Sequence, residues 1–186
     1  MKKMSVQEIL SLTIQEMMKD RALDSITVRE ILHASGISRP TFYKYFSDKQ
    51  ELVEYVFQKE LAAPYFWDFT RDLKTRELFF LRHLREQRSF YLNALKTVGQ
   101  NSFYHMWLDQ ARRSVEDYFE SLPAYSGIPK EDLRFYAKYL SYAYVNINIE
   151  WLENDGPETP EEMAEKIDRI MGYGMYGVLE HDKKEQ

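Results

Sequence analysis

Cysteine is missing from all 186 residues. That excludes disulfides, thiolate metal sites and cysteine nucleophiles, and it suits the reducing cytoplasm in which this reading places the protein. Glycine (7) and proline (6) are scarce, so turns are few, and no internal repeat or low-complexity segment stands out. No apolar run approaches the ~18 residues a membrane span needs, so no membrane partner is expected. Met1-Lys2-Lys3 has the charge of a signal-peptide start, yet Gln7, Glu8, Gln15 and Glu16 break up the stretch behind it, and no signal peptide is read there. Catalytic signatures are missing too. There is no H-E-x-x-H, no G-x-S-x-G and no phosphate loop, and His33, His83, His105 and His181 lack metal-ligand spacing. The expectation is therefore no enzyme activity, no metal and no cofactor. Gly172-Tyr173-Gly174-Met175-Tyr176-Gly177 does match G-x-G-x-x-G, but a dinucleotide fingerprint needs a preceding strand, and here the pattern is helical.

The composition that remains is globular, with 44% apolar and 30% charged residues in a chain long enough to bury a sizeable core. The net charge of −5 argues at first against a nucleic-acid partner. Its distribution reverses that. Residues 1–50 carry eight basic and six acidic side chains, whereas the remainder is strongly acidic. Only four of the 28 aromatic residues fall in the first 50, all within Phe42–Phe46. Two units of different chemistry are the simplest reading, 1–50 and 51–186.

Helical periodicity dominates and sustained alternation is missing, so the fold class expected is all-α with about nine helices. Ser5 and Glu8 have capping-box spacing before a stripe of Ile9, Leu10, Ile14, Met17 and Met18, predicting a helix over 6–19. Thr27 and Glu30 repeat that spacing before a short helix ending at His33. Gly36 suits a left-handed turn, and Ser38 caps a third helix in which Pro40 is tolerated in the first turn. Asp48 and Glu51 open a fourth. Pro64 breaks the pattern, and 64–73 reads as a connection. Further helices are predicted near 75–86, 88–97, 102–121, 130–153 and 160–180, the last behind Thr159-Pro160-Glu161-Glu162.

Two short helices joined by a glycine turn are the arrangement of a helix-turn-helix reader, whose second short helix enters the major groove. In Ser38-Arg39-Pro40-Thr41-Phe42-Tyr43-Lys44-Tyr45-Phe46, Phe42 and Phe46 are four apart and pack inward. Arg39, Thr41, Tyr43, Lys44 and Tyr45 then face outward, with donors for base edges and phosphate.

The run from Thr27 to Leu52 closely resembles the DNA-binding signature of TetR/AcrR-family transcriptional regulators. The shared features are Thr27-x-Arg29-Glu30, Gly36-Ile37-Ser38, the aromatic-Tyr-x-x-Phe run and the Lys49-x-Glu51-Leu52 start of the fourth helix. The resemblance implies an all-α homodimer of nine helices, three for DNA and the rest for effector sensing and dimerisation. It implies Arg39, Thr41 and Lys44 on base edges, Pro40 near a thymine methyl or sugar, and Tyr43 and Tyr45 on phosphate. Thr27, Arg29 and Lys49 would hold backbone phosphate, and Ser38 completes the DNA-facing set. Leu95-Lys96-Thr97-Val98-Gly99-Gln100-Asn101-Ser102-Phe103 resembles C-terminal domains of regulators similar to the dihydroxyacetone-kinase operon activator.

In the larger part, the segment 130–153 is apolar nearly all round, with Phe135, Tyr136, Tyr139, Tyr142, Ile147 and Trp151 among its large side chains. Such a helix needs partners on several sides. With 160–180 it is expected to form a two-fold interface. A small-molecule pocket is expected between residues 75 and 153, lined from His83, Tyr91, Asn93, His105, Trp107, Tyr142, Asn146, Glu150 and Trp151. The function expected is a ligand-responsive regulator, a repressor that binds a palindromic double-stranded operator as a homodimer. The alternative is an activator or co-regulator of the same fold that works through a partner protein.

Overall fold

A computed structural model describes residues 4–61, 72–97, 102–121, 123–155 and 157–184. Among them are nine α-helices and no strand: α1 (Val6–Met17), α2 (Val28–Ser35), α3 (Arg39–Tyr45), α4 (Lys49–Leu61), α5 (Leu73–Glu86), α6 (Arg88–Leu95), α7 (Phe103–Ser121), α8 (Lys130–Glu153) and α9 (Pro160–Lys184). Short 3-10 turns at Leu23–Ser25 and Pro123–Tyr125, which periodicity did not predict, join α1 to α2 and α7 to α8. The expected connection over 64–73 lies mostly outside the described residues, as do residues 98–101 of the Leu95–Phe103 segment.

Capping chemistry sets the helix starts. Ser5 and Glu8 exchange both bonds of a capping box, as do Thr27 and Glu30, while Thr159 and Glu162 bond reciprocally at the start of α9. At α4 the reciprocity is displaced by one residue. Asp48 accepts from the Glu51 amide at 2.8 Å, but the Glu51 carboxylate reaches back to the Ser47 amide at 2.6 Å, which holds its pKa below the usual range. Gly36 ends α2 at φ 67°, a left-handed conformation that a Cβ would disfavour. Gly174 also has φ 67° and interrupts α9, so the G-x-G-x-x-G match lies in a kinked helix with no strand before it.

α1 packs on α2 and α4; α4 in turn meets α7, and the pairs α5 with α9 and α7 with α8 build the larger part. The buried side chains form one cluster, from Leu10, Ile14, Ile31 and Phe42 through Leu52, Val56 and Phe57 to Phe80, Trp107, Val145 and Ile167. The boundary expected at residue 50 falls in the first turn of α4, which contributes Leu52, Val53, Val56 and Phe57 to that shared core. α8 buries Ala137, Ser141, Val145, Asn148, Trp151 and Leu152 on one side. Its other side exposes Phe135 (65%), Tyr136, Tyr139 (65%), Tyr142 and Ile147. No helix among the described residues is long and apolar enough to cross a membrane.

Candidate functional site

α3 is held from beneath by two rings. Phe42 and Phe46 are buried with centroids 5.9 Å apart, and Phe46 meets Tyr55 of α4 edge-on at 5.4 Å. This anchoring turns Arg39, Pro40, Tyr43, Lys44 and Tyr45 to solvent, with Thr41 half-buried. The Arg39 guanidinium sits 5.6 Å from the Tyr43 ring centre and the Lys44 ammonium 5.8 Å from that of Tyr45, so each cation is steadied by an exposed ring. Arg29, Arg39 and Lys44 have no carboxylate partner among the described residues, which leaves three exposed cations on α2 and α3. Ser38 is occupied as the N-cap of α3, accepting from the Thr41 amide at 3.3 Å and sharing a 2.7 Å hydroxyl bond with Thr41 Oγ1.

Two other predicted phosphate contacts are differently employed. The Thr27 amide and hydroxyl both donate to Glu30 Oε2 at 2.7 Å. Glu30 is held by Arg21 at 2.8 Å, and that bond, with those from Thr27, pulls its pKa down to about 2. A carboxylate therefore already engages the Thr27 amide and hydroxyl at the N-terminus of α2. Lys49 turns inward, with its Nζ donating to the carbonyls of Leu23 (2.8 Å), Asp24 (3.3 Å) and Ile26 (2.7 Å). All three ammonium protons are spent on the turn between α1 and α2, so Lys49 staples that turn to α4. Spacing alone did not show which way the side chain points.

The pocket residues expected from the sequence meet only in part: His83 contacts Tyr91, whose ring centre lies 6.5 Å from that of Trp107, and the others fall elsewhere. His83 Nε2 lies 2.9 Å from Glu60 Oε2 and 2.8 Å from Tyr91 Oη, and Tyr91 Oη donates to the same carboxylate oxygen at 3.2 Å. Gln15 of α1 donates to the other oxygen, so Glu60 ties α1, α4, α5 and α6 at one point. His105 lies in a separate polar groove between α4 and α7, 2.8 Å from Ser102 Oγ. Asn93 donates to the Met18 carbonyl beyond the end of α1, and Trp151 to the Glu158 carbonyl. Tyr142, Asn146 and Glu150 are exposed on α8. Residue type selected these candidates, whereas helical facing decides which side chains meet.

Of them only Trp107 lines a partly open apolar cavity of about 110 Å³ between α5, α7, α8 and α9. Its walls are Leu73, Phe80, Ala111, Val115, Tyr118, Leu140, Tyr144, Ile167 and Met171, with Arg76, Glu77, Gln110 and Ser114 as polar members. Glu77 is buried and accepts from Tyr144 Oη at 2.8 Å. Burial pushes its pKa up to about 7, against the opposing pull of the Tyr144 hydroxyl and Arg76. The Tyr144 hydroxyl is itself pushed up by burial and by the facing carboxylate. Glu77 had a legible signal, because with Leu73, Leu81 and Leu84 it falls on the inward stripe of α5, where a charge is out of place.

A helix-turn-helix standing on an all-helical second unit with an apolar cavity is the build of a DNA-binding regulator. The model for bacterial regulatory proteins of the tetR family matches residues 13–56, and that for a transcriptional regulator C-terminal region matches 78–173. The chain belongs to the TetR family of transcriptional regulators, which are not enzymes. It is similar to the HTH-type dhaKLM operon transcriptional activator DhaS of Lactococcus lactis subsp. lactis (strain IL1403), 28% identical over 114 residues, covering 59% of this chain and 58% of that one. It is also similar to the HTH-type transcriptional regulator YxbF of Bacillus subtilis (strain 168), 24% identical over 91% of this chain and 47% of the relative. The chain thus spans about half the length of these curated relatives. A solved structure of the dihydroxyacetone kinase operon activator DhaS shares the fold, with a TM-score of 0.66 at 23% identity over 88% of this chain and 92% of that one.

Proposed function

We propose that this TetR-family regulator binds a palindromic operator as a homodimer and is released from it by a small molecule held in the C-terminal unit. The observation that carries the reading is the α3 face, where Arg39, Tyr43, Lys44 and Tyr45 stand exposed on a buried Phe42–Phe46 base. Arg39, Thr41 and Lys44 read base edges; Pro40 packs on a thymine methyl or sugar; Tyr43, Tyr45 and Arg29 take phosphate. The exposed rings of α8, with α9, supply the two-fold interface, which sets two α3 helices about one DNA turn apart. The cavity among α5, α7, α8 and α9 is the effector site, and its location beside α7 gives it a route to α4 and the reading unit. The protein works in the cytoplasm, where its DNA is.

Repression is the simpler output, because a dimer seated on its operator obstructs transcription with no further surface. Activation is the second reading, favoured by the similarity to a relative named as an activator. The test is binding to DNA upstream of its own gene across a salt series, followed by transcription in vitro from that promoter. Sequence-specific binding is expected, with log affinity falling linearly against log salt. Arg39→Ala is expected to relax discrimination at one base pair by roughly 1–3 kcal/mol. Indifference to sequence overturns the reading, and the sign of the transcriptional change separates repression from activation.

A further inference from the structure

The cavity carries enough chemistry to name a ligand class, and this rests on its reading as the effector site. We propose that the effector is a single-ring aromatic amine, bound as its ammonium with Glu77 as counter-ion.

Size sets the first limit. At about 110 Å³ the cavity is near the scale of an apolar cavity of roughly 150 Å³ that takes up benzene, so a single ring matches its size. Phe80, Trp107, Tyr118 and Tyr144 bring aromatic surface from three helices. These rings accept both an aromatic ligand and, through their negative faces, a cation.

Charge sets the second. Glu77 is 7% exposed and lines the cavity; its Oε2 is met by Tyr144, and among the described residues no hydrogen bond reaches its other oxygen. The polar groups around it on the walls are Arg76 on α5, Tyr118 on α7 and Tyr144 on α8, and Asp168 of α9 acts on it from outside the lining. Arg76 favours the ionised carboxylate and Asp168 opposes it. Arg76 is the stronger of the two and lines the cavity beside Glu77, so the site holds one cation and one carboxylate whose charge depends on pH. Its pKa of about 7 means that charge is undecided at neutral pH. An ammonium supplies a donor to the second oxygen of the buried carboxylate. An anionic ligand would compete with Glu77 for Arg76, and a hydrocarbon would leave the second Glu77 oxygen unmet.

The test is calorimetric titration of the full chain with benzylamine, benzyl alcohol and benzoate at pH 6 and pH 8, with gel-shift measurement of DNA binding alongside. Benzylamine, protonated throughout, is expected to bind tightest at pH 8. It should weaken about tenfold at pH 6, where only about a tenth of Glu77 is ionised. Glu77→Gln should lose roughly 10- to 100-fold for benzylamine, the worth of a hydrogen bond between charged partners, and leave benzyl alcohol unchanged. Tyr144→Phe retains the carboxylate and should move the pH dependence upward, because the hydroxyl that lowers the Glu77 pKa is gone. Ala111→Phe, which fills the cavity, should abolish binding of every probe. Equal affinity for the three probes, a preference for benzoate, or full affinity in Glu77→Gln overturns the ligand class. If benzyl alcohol or benzoate binds and releases DNA while benzylamine does not, the class fails and the effector reading stands. If benzylamine binds through Glu77 without changing DNA affinity, the cation site stands and the effector reading fails. If no probe binds in the cavity, both fail.

Discussion

Replacing Lys49 by methionine separates two roles that the sequence does not distinguish. The substitution keeps most of the aliphatic stem and removes the ammonium that donates to the Leu23, Asp24 and Ile26 carbonyls. Two of those bonds, at 2.8 and 2.7 Å, are partly buried, and the third, at 3.3 Å, is exposed and weak. A hydrogen bond from a charged donor contributes about 1.5 kcal/mol at the low end, which suits a site where water can partly replace it. Two such bonds come to about 3 kcal/mol. Against this, a cation in the first turn of α4 opposes the helix dipole, and its removal returns up to about 1 kcal/mol. The net expectation is a loss of about 2 kcal/mol, or roughly 4–8 °C in Tm for a chain of this size. Differential scanning calorimetry reads the stability, and a salt series of operator binding reads the charge. The slope of log affinity against log salt is expected to stay at the wild-type value, because this ammonium neutralises no phosphate. A Tm unchanged within a degree, with a slope shallower by about one unit, would refute the staple and restore the phosphate contact.

Other perturbations test other parts of the molecule. Tyr139→Asp puts a charge in the middle of the exposed aromatic face of α8 and is expected to shift the protein to monomer in sedimentation velocity, with little change in helical content. Glu77 has a raised pKa in the folded state, so between about pH 4.5 and 7 the folded chain holds a proton that the unfolded chain has lost, and stability falls as pH rises through that window. The cost above pH 7 is of the order of 3 kcal/mol, and Glu77→Gln should flatten this dependence in urea titrations at pH 5, 6, 7 and 8. Glu60→Ala strips the common acceptor from Gln15, His83 and Tyr91 and should cost about 1–3 kcal/mol in the same assay. If Glu60 also links the effector unit to α1, ligand in that variant should release DNA less completely than in wild type.

Local chemistry decided much of this protein. The capping boxes at Ser5, Thr27 and Thr159, the glycine at Gly36 and the spacing of Phe42 and Phe46 are short-range features, so the starts of the corresponding helices and the outward set of α3 were readable in order along the chain. The length of α8 and its surplus of apolar surface were readable for the same reason. Charge was misleading only as a total, because a field at a DNA surface is local and the acidic residues lie elsewhere in the chain. Tertiary structure decided which side chains meet. The sequence holds Lys49 and Thr27 as plausible phosphate donors; the fold gives one to a neighbouring turn and the other to its own capping carboxylate. It disperses His83, His105 and Tyr142 to three different places and assembles Arg76, Glu77, Gln110 and Tyr144 from helices up to 68 positions apart. Helix formation depends on neighbours within four residues, whereas a cavity depends on how whole helices cross. Packing of α5 and α7 against α8 and α9 is what put one carboxylate among four aromatic rings.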